Sequence, residues 1–275
     1  MVRSLAVPAM LAMLFAACES EPFAPPAEEL IVAQAFLYAG EPVTDVRLSE
    51  AIPLGSTDSV GTPITDARVT LIRNGVPYLL VASPGDSGFY HYPGVDLEVD
   101  EGDQFQLEIV HEGTILTAST TVPLAPGSIS LSRTEVVRPT FEVGQFPDFS
   151  EAMLTVHWDN PGGDLYFVAY RNIEASPDSV EDGGGPFGGG FLGRLGRFAS
   201  EPTSGDSLTI NAMTLTHYGE HEVKVYRVNA EYAQLYESRL QDTRDLNEPA
   251  TNIQNGLGVF SAFASRRAAF RLVRE

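Results

Sequence analysis

The sequence predicts a mainly β protein: two β-sandwich-like domains behind a secretory signal and a flexible tether, with one helix in the second domain. Three observations predict it. From Glu29 onward, short runs rich in β-branched and aromatic residues are broken by turn signals at roughly ten-residue spacing. Inside such runs the apolar residues alternate, as Phe105, Leu107 and Ile109 do against Gln106 and Glu108, the period of a half-buried strand. The chain has 275 residues, 43% of them hydrophobic, with 19 prolines and 25 glycines spread throughout, which suits a turn-rich body with one large or two ordinary cores. Two are expected.

The chain begins with Arg3, an apolar run from Leu5 to Phe15, the small pair Ala16-Ala17 and then Cys18. A basic end, a short apolar core and small residues before a cleavage point make residues 1–17 a secretory signal, too short to span a bilayer. Cys18 sits where cleavage would expose it. The segment resembles the lipobox of bacterial lipoproteins, with Phe15 where leucine is usual. That resemblance implies cleavage before Cys18 and acylation of its sulfur and new amino group, palmitate included. Cys18 is the only cysteine, so its assignment to lipid removes disulfides, thiolate metal sites and cysteine nucleophiles together. Residues 18–28, proline-rich and acidic, bury too little apolar surface to fold and read as a tether. No later apolar run approaches membrane-spanning length.

The first domain is expected over 29–125, with strands at Leu30 to Tyr38, Asp45 to Ser49, Ala67 to Arg73, Tyr78 to Ala82, Gly88 to Tyr92, Gln104 to His111 and Thr114 to Val122. Asn74-Gly75 and Glu112-Gly113 are hairpin turns, because glycine accepts the positive φ such turns demand. Pro123 to Gly127 punctuates the chain. The second domain, 126–275, carries expected strands at Met153 to Trp158, Leu165 to Ile173, Leu208 to Leu215, His221 to Asn229, Leu257 to Phe263 and Ala268 to Val273. Between them, Tyr232, Leu235, Tyr236 and Leu240 recur at helical steps and predict one amphipathic helix over 229–241. A glycine-dense loop is expected over 176–196.

The formal charge is −20, and loss of Arg3 with the signal makes it −21 (−20 minus +1). Such a surface repels nucleic acid and anionic headgroups. Lys224 is the only lysine, consistent with a salty medium or a GC-rich genome. Four patterns resemble catalytic or cofactor motifs and fail on context. Gly85-Asp86-Ser87-Gly88 has the letters of a trypsin-like nucleophile segment, but no histidine precedes His91 to act as base, so a turn into the next strand is favoured. Gly205-Asp206-Ser207-Leu208 has the letters of an esterase block, yet neither His217 nor His221 has an aspartate three residues before it. Gly188-x-Gly190-x-x-Gly193 lacks the βαβ unit a dinucleotide fingerprint requires. His217 and His221 stand four apart, but Tyr218-Gly219-Glu220 reads as a turn into a strand and not as a zinc-binding helix. Asp100-Glu101-Gly102-Asp103 lacks the ligand alternation of a calcium loop. No catalytic residue, metal site or cofactor is therefore expected. The stretch from Glu248 to Phe263 joins a polar loop to a glycine-spaced aromatic strand, where glycine permits close backbone approach.

Several of these segments, in order, resemble a lipoprotein family. They are the lipobox, Leu30-Ile31-Val32, Val46-Arg47-Leu48-Ser49, Pro63-Ile64-Thr65-Asp66-Ala67-Arg68-Val69-Thr70-Leu71, Gly88-Phe89-Tyr90, Val225-Tyr226-Arg227-Val228 with the helix after it, and Thr251-Asn252-Ile253-Gln254-Asn255-Gly256-Leu257-Gly258-Val259-Phe260. The resemblance is to the family catalogued as domain of unknown function 4249. It implies an outer-membrane lipoprotein with an Ig-like, transthyretin-like or carboxypeptidase-regulatory-like first domain, often encoded beside TonB-dependent outer-membrane receptors, and no established catalytic residues. The second domain is expected to be fibronectin-III-like. The expected function is a non-enzymatic, lipid-anchored binding or accessory protein for such a receptor, on the cell-surface or periplasmic face of the outer membrane. Glu19 and Glu21 beside the cysteine resemble surface-export signals. The alternatives are a hydrolase using Ser207 or the His217/His221 pair, and an adhesive surface module whose acidic faces bind divalent cations.

Overall fold

The computed structural model describes residues 30–52, 56–58, 60–139, 149–180, 197–238 and 250–275. The signal at 1–17, Cys18, the tether, most of the glycine-dense stretch and Leu240 of the expected helix lie outside the described residues. The architecture is mainly β, as the alternation requires.

Seven strands come first: β1 (Ile31–Tyr38), β2 (Asp45–Glu50), β3 (Arg68–Arg73), β4 (Val76–Ala82), β5 (Phe89–His91), β6 (Gln104–His111) and β7 (Thr114–Thr121). β3 turns into β4 through Asn74-Gly75 and β6 into β7 through Glu112-Gly113, and all four turn residues have positive φ, as two-residue primed turns demand. Then follow β8 (Ile129–Leu131), β9 (Glu135–Arg138), β10 (Met153–Trp158), β11 (Leu165–Asn172), β12 (Arg197–Ala199), β13 (Ser207–Asn211), β14 (Gly219–Val228), α1 (Ala230–Ser238) and β15 (Leu257–Arg274). The strand expected over Leu208 to Leu215 ends early, at Asn211. The Asn211 side chain accepts from the Met213 amide at 2.9 Å and starts a 3-10 turn over Ala212–Thr214. The buried Arg138 guanidinium then donates to the Ala212 and Leu215 carbonyls at 3.0 and 3.3 Å. A polar side chain satisfied locally thus competes with the ladder and stops it.

The large sheet runs β12-β11-β14-β15-β1-β2-β5-β4-β3-β6-β7, with β9 also on β15, and a smaller sheet runs β13-β10-β8. Two expected strands, Leu257 to Phe263 and Ala268 to Val273, are one continuous strand of 18 residues. Ser265, Arg266 and Arg267 look like a break in sequence, but they pair with Tyr226, Val225 and Lys224 of β14 and keep the ladder intact. The first part of β15, Leu257 to Phe263, lies parallel to β1, and its later part, from Phe263 onward, lies antiparallel to β14. One strand therefore belongs to two lobes.

Each lobe has its own core. Leu48, Leu71, Phe105, Leu107, Leu116 and Phe260 are at the centre of the first, and Leu154, Trp158, Val223, Val225, Phe270 and Leu272 of the second. β15 supplies Phe260 to one core and Phe270 to the other. The approach of β15 to β1 is close enough to exclude side chains at Gly258, where φ is +110° and a Cβ would collide with the Ala33 backbone. Before β15, Asn252 accepts from the Phe260 amide at 2.8 Å and donates to its carbonyl at 2.7 Å, and Gln254 pairs with Thr117 of β7. The polar loop noted in the sequence thus pins β15 into the first lobe.

Candidate functional site

β1, β11, β14 and β15 present apolar residues to the cores on one face, and on the other face β1, β11 and β14 carry an unusual set. In β1, Ala33, Ala35 and Leu37 are buried in the first core, which puts Phe36 and Tyr38 on the opposite face. In β14, His221, Val223 and Val225 point inward and Glu222, Lys224 and Tyr226 point outward. Cross-strand pairing sets Phe167 beside Tyr226, Ala169 beside Lys224 and Arg171 beside Glu222. The outward ladder reads ring, small residue and ion pair in succession.

The rings collect at the seam between the lobes. Phe167 stacks on Tyr226 with centroids 4.7 Å apart, Tyr38 stacks on Phe263 at 5.2 Å, and Tyr38 meets Tyr226 edge-on at 6.0 Å. Tyr232 of α1 closes one side, edge-on to Phe263 at 4.9 Å and to Phe36 at 5.9 Å. Such stacked and T-shaped contacts each contribute about 0.5–1.5 kcal/mol beyond burial. Tyr38, Phe167, Tyr226 and Tyr232 all keep part of their surface open to a groove of about 890 Å³, whose rim is polar: Glu41, Asp45, Arg171, Glu222 and Lys224. An aromatic lining with a few placed polar groups is the general form of a ligand site.

The rim charges are mostly paired. Lys224 Nζ lies 2.7 Å from Glu41 Oε1, tying the turn after β1 to β14. Burial works against the Lys224 charge, but the Glu41 hydrogen bond and neighbouring charges outweigh it and hold its pKa above the usual lysine value. Arg171 Nη2 lies 3.2 Å from Glu222 Oε1. Asp45 differs: its Oδ2 accepts from the Tyr38 hydroxyl at 3.3 Å, and it forms no ion pair among the described residues. Burial raises its pKa, partly offset by the Tyr38 hydrogen bond. Burial and the Asp45 charge in turn push the Tyr38 phenol far up, so it stays a donor.

A second cavity, of about 760 Å³, lies between β6, β7 and the start of α1. Three of its polar side chains, Thr120, Asn229 and Glu231, are engaged with one another or with neighbouring groups. Asn229 donates to Thr121 O at 2.8 Å and Thr120 Oγ1 at 3.1 Å, while Glu231 accepts from Thr120 at 2.9 Å and from Ser261 at 3.3 Å. This network docks α1 on the first lobe and leaves the aromatic groove as the better candidate site.

The residues singled out from sequence motifs lie elsewhere. Ser87 accepts from the Phe89 amide at 3.5 Å in the turn before β5. Ser207 is the exposed first residue of β13 and donates to Asp206 Oδ1 at 3.2 Å. His217 forms an isolated antiparallel bridge with Ser179 just before β14, its Nδ1 2.9 Å from Thr216 Oγ1. His221 is buried in β14, stacked on Phe270 at 5.1 Å, its Nδ1 2.9 Å from Gly219 O. Asp100 and Asp103 are clamped by Arg73, with contacts of 2.8 Å to each. No cluster of three or more histidine, cysteine or acidic residues suited to a metal occurs among the described residues. Gly188 to Gly193 lie outside the described residues. A further histidine contact, unmarked in the sequence, joins Ser83 Oγ to His91 Nδ1 at 2.9 Å across β4 and β5. The groove itself was signalled only indirectly, by Phe36 and Tyr38 on a face of β1 that a one-sided sheet would leave to water.

A two-lobed β chain with an aromatic groove at its seam is the class that fold and site define. The chain belongs to the family described as Domain of unknown function (DUF4249), whose model matches residues 20–268. No curated protein matches it. Among solved structures, a chain of one titled "Cytokine receptor complex - Crystal form 1A" aligns over 86% of this chain and 94% of its own, at 12% identity and a TM-score of 0.24. At that score the likeness carries no argument.

Proposed function

We propose that the chain is a lipid-anchored outer-membrane lipoprotein that works by binding and not by catalysis, as an accessory to a TonB-dependent receptor, and that the seam groove is its binding site. The observation that carries the binding reading is the groove: four partly open rings beside a half-buried carboxylate that forms no ion pair among the described residues. A protein optimised for stability alone would not keep an unpaired, desolvated acid there, because each such group costs folding free energy. The anchor reading rests on Arg3, the run from Leu5 to Phe15 and Cys18, and the receptor reading on membership of the family.

Both parts are testable on the full chain. Expressed in a Gram-negative host, the protein should partition with membranes and carry an acyl mass on Cys18, and Cys18→Ser should remove both. A Cys18→Ser chain that still partitions with membranes contradicts the anchor. Co-expressed with the receptor gene found beside its own, the protein should co-purify with the receptor, and Tyr226→Ala should weaken the complex or its ligand response while the protein remains folded. Absence of co-purification together with absence of any ligand-induced rise in melting temperature contradicts the binding reading.

A further inference from the structure

We propose that the groove takes a small organic ammonium ion, with Asp45 as its counter-ion and the Tyr38, Phe167, Tyr226 and Tyr232 rings as its walls. This rests on the binding reading and narrows it to one ligand charge. Among the described residues, the charges on the rim are already matched except at one carboxylate. Lys224 is consumed by Glu41 at 2.7 Å and Arg171 by Glu222 at 3.2 Å, so neither basic group is free to receive an anion. The second Glu222 oxygen faces Arg267 at 3.8 Å. Of the three rim carboxylates, Glu41 has Lys224 and Glu222 has Arg171 and Arg267, whereas Asp45 has no cation among the described residues.

The aromatic lining suits the same charge. A cation within about 6 Å of a ring centroid is drawn to its negative face, by about 0.5–2 kcal/mol according to how dry the site is. Lys224 already shows the geometry, with Nζ 5.9 Å from the Tyr226 centroid. A guest ammonium beside Asp45 would meet the Tyr38 ring, whose hydroxyl is 3.3 Å from that carboxylate. It would also relieve the carboxylate, since a nearby positive charge favours the ionised form that burial opposes. At longer range the formal charge of −20 attracts cations and repels anions. A neutral ligand of equal shape would gain the apolar contact without the counter-ion.

The test is a titration of the full mature chain with choline chloride, against sodium chloride at equal ionic strength and against 3,3-dimethylbutan-1-ol, the uncharged isostere. Ring resonances in NMR report occupancy. Saturable shifts confined to the groove rings are expected with choline, at an affinity about tenfold or more above that of the alcohol. Asp45→Asn, which keeps the shape, should lose about tenfold in choline affinity, whereas Glu151→Gln, away from the groove, should lose none. Equal binding of alcohol and choline, choline binding unaffected by Asp45→Asn, or no saturable choline binding overturns the inference. If choline fails while receptor co-purification still depends on Tyr226, only the ligand class falls; if both fail, the binding reading falls with it.

Discussion

Two titratable side chains shifted by burial, one buried and one half-buried, make opposite demands on pH. His221 is buried in β14, and burial lowers its pKa against the weaker upward pull of the Gly219 carbonyl. The unfolded chain therefore binds that proton more readily, with a pKa near the ordinary histidine value of about 6.5. The stability tied to neutral His221 is complete above that value and is lost as pH falls below it. The melting temperature should drop between about pH 7.5 and pH 5, and His221→Phe, stacked on Phe270, should flatten the slope; an unchanged slope contradicts this assignment. Asp45 has the reverse sign. Its pKa is raised by burial, so the folded state binds the proton more readily and stability falls as pH rises through its folded value. Asp45→Asn should melt at the same or a higher temperature than the wild type at pH 7, and a clear loss would show that the carboxylate is structural. At Gly258, where φ is +110° against the Ala33 backbone, alanine should cost roughly 3 kcal/mol, measurable by chemical denaturation. Gly258 was legible in sequence as a site of close approach. Asp45 was not, because Tyr38 is only seven residues from it but the groove that it shares is completed by Phe167 and Tyr226, far from it in sequence.

Among the elements, those with a strong period of two were readable to the residue: β6 and β10 lie where alternation puts them. β8, β9 and β12 have only 3, 4 and 3 residues and are made by pairing, not by local pattern. The continuity of β15 was hidden for a related reason. Arg266 and Arg267 look like a loop in isolation, yet both are exposed positions on a paired strand, where long basic side chains are tolerated. α1 was visible from Tyr232, Leu235 and Tyr236, but its docking was not. That docking rests on Glu231, which accepts hydroxyl hydrogen bonds from Thr120 and the fully buried Ser261. Glu231→Ala leaves both donors without that acceptor and should cost about 1–3 kcal/mol. Faster amide exchange in α1 and at the end of β7 would localise the loss, and unchanged exchange there would contradict the role.

On the scale of the whole molecule, the fold has two cores and one shared strand. The sequence pattern announces two β-rich blocks divided near residue 125, but the first core also takes Ile253, Phe260 and Ala262 from late in the chain, while β15 gives Phe270 and Leu272 to the second. Pairing of 257–263 with β1 joins segments more than 200 residues apart, which no local signal encodes. The groove exists because of this joint: β1 brings Tyr38 from one lobe, β14 brings Tyr226 from the other, and Phe263 of β15 lies against both. A functional reading of the groove therefore requires the lobes to be held as one body. The most direct test is equilibrium unfolding followed by two probes, fluorescence of Trp158, the only tryptophan, in the second core, and amide exchange of β3 and β6 in the first. Coincident transitions are predicted. Two separated transitions, with the first lobe surviving loss of the second, would contradict the account.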